Sequence, residues 1–140
     1  MLEQAHYRIV IETRGPGFTD VTARLTHWLS QIDARDGLLT LFLRHTSASL
    51  VIQENADPDV GRDLADAFKA LAREDTALYR HVTEGPDDMP AHIRSALTQT
   101  QLSIPVRAGK PVLGTWQGIF LFEHRIAPQQ RHVALHLLCD

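Results

Sequence analysis

Between His6 and Thr13 apolar and polar positions alternate, with Tyr7, Ile9 and Ile11 on one face. A period of two predicts a strand, and Gly15-Pro16-Gly17 ends it. Val21, Leu25, Trp28, Leu29 and Ile32 then recur at helical spacing, with Thr19 or Asp20 available as the cap. Leu38 to Arg44 is almost continuously apolar and predicts a buried strand. The polar stretch His45-Thr46-Ser47-Ala48-Ser49 separates it from a second apolar run, Leu50-Val51-Ile52, which suggests a kinked strand junction. Asp57 followed by Pro58 is a helix start, and Val60, Leu64, Ala67, Phe68 and Leu71 give that helix its apolar face. Tyr79 to Asp88 reads as a long loop. A short third helix follows, with Pro90 in its first turn and Ile93 and Leu97 on its apolar side. Further strands are predicted at Leu102–Val106, from Val112, at Ile119–Glu123 and at Val133–Leu138, with turns at Gly109-Lys110 and Gln129-Gln130-Arg131. Six to eight strands with three helices predict an α+β fold of antiparallel, sandwich-like sheets with the helices on one side.

The 140 residues form one domain, 1–140, and 44% of them are hydrophobic, enough for a single core. No apolar run reaches the ~18 residues of a membrane span. The opening MLEQAHYRIV lacks the basic and apolar regions of a secretory leader, so a cytoplasmic protein with no membrane partner is expected. Cys139 is the one cysteine and excludes an internal disulfide. A net charge of −3 with scattered basic residues argues against nucleic-acid binding. Eight histidines favour a metal or acid–base site.

His45 ends a buried strand, a position where a rigid sheet holds a side chain at a loop opening; its plainer role is a hydrogen bond to nearby backbone. Thr46, Ser47 and Ser49 offer hydroxyls for an anion or for the backbone at a bulge, and none sits in a nucleophile elbow. Asn55 is free to orient a ligand, whereas Asp57 reads as a cap and Glu54 is ambiguous. The richest cluster is His81, Glu84, Asp87, Asp88 and His92, on a loop entering a helix start, where free N–H groups attract anions. A neutral His92 there acts as a base or metal ligand, with Asp88 as its orienting partner or a direct ligand and Glu84 nearby. His45, His81 and His92 together would give a three-nitrogen site with an open position, the pattern of catalytic zinc. The plainer reading has Asp88 as a cap and His81 in solvent. Trp116 is read as core, interface or a stacking wall. Gln117 lies between two glycines, and Glu123 and Arg125 share a strand face and pair with each other or touch a ligand. His124 points the other way.

Three stretches, HTSASLVIQENADPDV (45–60), EGPDDMPAHIRSAL (84–97) and GTWQGIFLFEHR (114–125), resemble in order and spacing the signature blocks of the YjbQ family. The resemblance implies a β-sandwich with helices, a homotrimer with pockets near subunit boundaries, and a secondary thiamine-phosphate synthase activity. That reaction joins a pyrimidine-methyl diphosphate to a thiazole phosphate and expels pyrophosphate. It calls for cations such as Arg44, Arg94, Lys110 and Arg125, and for a magnesium carboxylate pair, which only Asp87-Asp88 resembles. No Gly-rich phosphate loop and no organic cofactor site are present. The catalytic set is then His45, Glu84, Asp88 and His92, and a small phosphorylated metabolite meets Thr46, Ser47, Asn55, Gln117, Glu123 and Arg125. The alternatives are a zinc-dependent hydrolase at the same histidines and a non-catalytic trimeric module that binds a metal or phosphometabolite.

Overall fold

The structure is a computed structural model that describes all 140 residues. In chain order the elements are β1 (Glu3–Thr13), β2 (Gly17–Asp20), α1 (Thr22–Gln31), β3 (Gly37–Leu43), β4 (Ala48–Glu54), α2 (Pro58–Leu71), α3 (Asp88–Leu97), β5 (Gln101–Arg107), β6 (Lys110–Pro111), β7 (Gln117–Glu123) and β8 (Gln129–Cys139), with a 3-10 turn at Thr76–Leu78. A five-stranded sheet in the order β1-β8-β3-β5-β6 packs on a three-stranded sheet in the order β2-β7-β4, and every pairing is antiparallel. This is the predicted α+β sandwich.

The period of two decides which side chains enter the core. Ile9 and Ile11 on β1, Leu39, Leu41 and Leu43 on β3, and Val133, Leu135 and Leu137 on β8 are all buried. They meet Leu50, Ile119 and Leu121 from the smaller sheet, and α1 adds Leu25 and Leu29. Burying a Leu or Ile side chain stabilises by roughly 1.5–3 kcal/mol. Tyr7 stays half-exposed because it lies at the edge, its ring stacked on Trp28 of α1 at 5.6 Å. On the other face of the small sheet Phe122 meets Phe68 of α2 edge-on at 5.5 Å, so α2 covers that sheet. Gly37 is required where β3 pairs with the end of β8, because a Cβ there would run into the Leu138 carbonyl oxygen.

Four details differ from the sequence pattern. Asp20 does accept from the Thr22 amide at 2.9 Å, but Val21 is the N-cap residue of α1 and makes no side-chain cap bond. Ala67 and Leu71 of α2 are exposed, because the face turned to the protein is that of Val60, Gly61, Leu64, Ala65 and Phe68. The short returning strand is Lys110–Pro111 rather than a strand from Val112. Gln129 to Arg131 is strand, not turn, since these residues pair with Thr13, Glu12 and Ile11 of β1; the chain reverses before them.

Candidate metal centre at the head of the third helix

The loop before α3 is shaped by Gly85, whose φ of +107° lies in the region that favours glycine. Asp87 takes the N-cap position of α3, yet its side chain makes no cap bond. Its Oδ2 instead accepts from Arg125 Nε at 3.0 Å and from the Ile126 amide at 2.9 Å. Arg125 leaves the end of β7 and spreads its guanidinium over this loop. Nη1 donates to Asp88 Oδ1 at 2.5 Å and Nη2 to the Glu84 carbonyl at 3.0 Å. One planar fork therefore fixes three residues, which a lysine's single ammonium could not do.

Asp88 is 2% exposed, and its second oxygen serves two histidines. His81 Nε2 lies 2.7 Å and His92 Nε2 3.2 Å from Oδ2. Burial alone would raise the Asp88 carboxyl; the His81 hydrogen bond and the Arg125 charge outweigh it and hold the group below its ordinary value. Asp87 is lowered in the same way, burial being overcome by the Ile126 amide and Arg125. Both acids are therefore carboxylates at neutral pH.

His92 Nδ1 lies 3.1 Å from the Thr46 carbonyl oxygen, which can only accept. Nδ1 therefore carries the proton. In the neutral ring the Nε2 lone pair then points at a carboxylate oxygen, a contact satisfied only by a cation between them or a second proton on the ring. The ligand atoms of His81, Asp88 and His92 lie within 4.8 Å of one another, so a single ion with bonds near ~2 Å gathers all three only after the donors close in slightly. A backbone carbonyl that orients the outer nitrogen is the usual support of a metal-bound histidine.

His45 is not in this group. Its Nε2 accepts the His132 backbone N–H at 2.8 Å, and its ring stacks on His132 with centroids 5.7 Å apart. With Nε2 so occupied the proton sits on Nδ1, and no lone pair remains for a metal. Burial, then the Arg131 charge, lowers its pKa and keeps it neutral. Within one chain, then, the structure gathers His81, Asp88 and His92 and leaves His45 apart from the other two histidines of the set expected from sequence.

The other candidates divide. Thr46 and Glu84 join the site through backbone carbonyls rather than side chains. Ser47 accepts from Arg131 through both Oγ and its carbonyl. Glu123 does not pair with Arg125. It is buried between the sheets, held by Arg131 at 2.5 and 2.6 Å and by the Thr13 hydroxyl at 2.8 Å. Gln117 and Asn55 lie at the far end of the small sheet, six positions along β7 from Glu123 and just past the end of β4, or about 20 Å from the Ala48–Glu123 pair at the strand rise. Gln117 closes a turn by accepting from the Gly114 amide at 2.8 Å, and Asn55 lines a cleft of about 560 Å³ beside α2. Trp116 is 63% exposed and so is not core.

Two networks escaped the sequence reading. Arg131, read there as part of a turn, is the buried counter-ion of Glu123. His124, 1% exposed, meets Ser49 Oγ at 2.6 Å, and Ser49 in turn bonds Thr98. Burial, then the Arg94 charge, pushes the pKa of His124 down to about 4. The alternation along β7 does carry the signal for both, since Glu123 and His124 must face opposite layers.

Fold and site define a two-sheet α+β protein with a histidine–carboxylate cluster at one end of the sandwich. The sequence profile of the UPF0047 protein YjbQ-like family matches residues 7–140, and the chain belongs to that family. It is 54% identical to UPF0047 protein sll1880 of Synechocystis over 92% of this chain and 88% of that protein. It is 46% identical to UPF0047 protein YjbQ of Salmonella typhimurium over 84% of this chain and 86% of that one. Among solved structures, a conserved hypothetical protein of Thermus thermophilus superposes with a TM-score of 0.83 at 34% identity, covering 92% and 97% of the two chains. A YbjQ-like protein of unknown function from Sulfolobus solfataricus shares the fold, with a TM-score of 0.86 at 22% identity over the whole of both chains. No helix is long and apolar enough to cross a membrane.

Proposed function

We propose that this protein is a metal-dependent enzyme that binds one divalent ion, zinc in the first instance, at His81, Asp88 and His92 and hydrolyses a small phosphorylated metabolite. The observation that carries this reading is the 3.1 Å approach of His92 Nδ1 to the Thr46 carbonyl oxygen, which assigns the ring proton to Nδ1 and turns the Nε2 lone pair toward Asp88 and His81. Two imidazoles and one carboxylate leave a coordination position open, and an ion there supplies a Lewis acid and a water of lowered pKa. The chain's own part is to fix the donors: Arg125 holds Asp88 by Oδ1 and leaves Oδ2 for the ion. His45, neutral and with its proton on Nδ1, is a hydrogen-bond donor to substrate rather than a base.

The family resemblance also brings a thiamine-phosphate synthase reading, with magnesium in place of zinc. Expelling pyrophosphate needs free cationic groups. Arg125 and Arg131 are already bound to carboxylates, and Arg94 is buried against the Phe68 and Ala72 carbonyls. Of the cations named for that reaction only Arg44, exposed beside His45, stays uncommitted near the cluster, since Lys110 lies at the opposite end of the large sheet; one free cation favours hydrolysis. The trimer belongs to the same proposal and is tested by light scattering.

Metal content of the purified protein, with activity on a panel of phosphate esters, tests the reading. About one zinc per chain and ester hydrolysis, both lost in Asp88→Asn, is the expected outcome. A metal-free protein that binds no added zinc would overturn it. Formation of thiamine phosphate from its two precursors with magnesium, undiminished by Asp88→Asn, would replace it with the transferase reading.

A further inference from the structure

A second set of histidines lies on the outer face of the five-stranded sheet and owes nothing to the centre at Asp88. Residues of β1 and β8 alternate between the core and this outer face. His6 and His136 both point outward and are direct cross-strand partners in the antiparallel register. Side chains so placed stand ~4.5–5.5 Å apart at Cβ. Their rings face each other with centroids 4.6 Å apart and planes 13° from parallel. Gln4, two residues before His6 on the same face, accepts through Oε1 from His136 Nε2 at 2.8 Å; an ion that joins these two atoms takes the place of that proton, which moves to Nδ1. His6 is exposed and His136 half-buried, so ions in solvent can reach both.

We propose that His6, His136 and the Gln4 side-chain oxygen form a second metal site, suited to a borderline divalent transition metal, with Cu(II) foremost. Two imidazole nitrogens and an amide oxygen, with water in the remaining positions, make the tetragonal N,O set that Cu(II) prefers. Paired strands hold the two Cβ atoms, so modest side-chain rotations turn the stack into a chelate. Zinc is the poorer fit, since it takes a tetrahedral set and follows copper in intrinsic affinity. Arg8, cross-strand from Ala134 on the same face, adds a like charge nearby and sets the affinity below that of a site containing a carboxylate.

The test uses the full chain with His92→Ala, which removes the first centre and separates the two claims. Copper titration followed by calorimetry and electron paramagnetic resonance is expected to show one Cu(II) per chain with hyperfine coupling to two nitrogens. Adding His6→Ala or His136→Ala weakens binding by roughly tenfold or more and leaves one-nitrogen coupling. His27→Ala, at an exposed histidine on α1, leaves both readouts unchanged. The site is refuted if His92→Ala takes up no copper, or if the further substitutions at His6 and His136 change neither affinity nor coupling. Absence of zinc at the first centre would not touch this result.

Discussion

Two carboxylate–guanidinium clusters stand on and around the end of the same strand, and they differ in what they leave over. Glu123 and Arg131 lie between the sheets, 1% and 3% exposed. Thr13, Ser47 and the His124 and Arg125 amides consume the remaining hydrogen-bonding capacity. Asp88 and Arg125, two residues further along, use the same chemistry at the mouth of the sandwich. There one carboxylate oxygen remains to face two imidazoles, and His81 reaches solvent. A saturated ion pair holds two sheets in register; an unsaturated one offers donor atoms to a ligand. Burial and leftover valence, rather than residue type, separate structure from chemistry here.

Breaking the sealed cluster has the largest effect. Arg131→Ala leaves Glu123 charged, buried and unpaired, and is expected to cost about 3–5 kcal/mol by urea denaturation. Replacing both partners, as Glu123→Gln with Arg131→Met, costs much less; equal losses for the single and double variants would show that the pair is not self-contained.

The neighbouring buried histidine gives the next effect. The pKa of His124 is depressed in the folded state, to about 4 from 6.5, so the unfolded chain binds its proton first on acidification. Stability is therefore full above about pH 6.5 and falls as pH drops toward 4, by roughly 3 kcal/mol at most. The carboxylates add to this at lower pH. Asp87, Asp88 and Glu123 are also depressed, so their contribution is present above the ordinary carboxylate range and is lost as pH falls through their folded values. His124→Asn should flatten the stability profile between pH 4 and 6.5; an unchanged slope would move the acid sensitivity elsewhere.

At the open cluster, Arg125→Lys keeps the charge but loses the fork that orients Asp88. Metal affinity is expected to fall by roughly 10–100-fold, with unfolding free energy nearly unchanged. A loss of stability as large as that of Arg131→Ala would erase the distinction between the clusters. The smallest effect belongs to the exposed pair Asp59–Arg62, whose side chains are 69% and 73% exposed. Asp59→Ala should shift stability by less than about 1 kcal/mol.

By itself the sequence determined the layered antiparallel fold, the Asp57-Pro58 helix start and the ionisable cluster between His81 and His92. These follow from periodicity and local backbone chemistry, which act over a few residues. It also placed Asp88 and His92 one helical turn apart, close enough to share a ligand. Only the tertiary structure decided the rest. It gave Arg125 to Asp87 and Asp88 rather than to Glu123, and it gave Glu123 to Arg131, whose turn-like surroundings hid a strand. It also set the His45 nitrogen against the His132 amide and carried Asn55 and Gln117 to the opposite end of the small sheet. Each of these pairings joins residues brought close by strand register and sheet stacking. Register is settled by the whole buried face at once, so no local pattern announces which polar groups will meet above it.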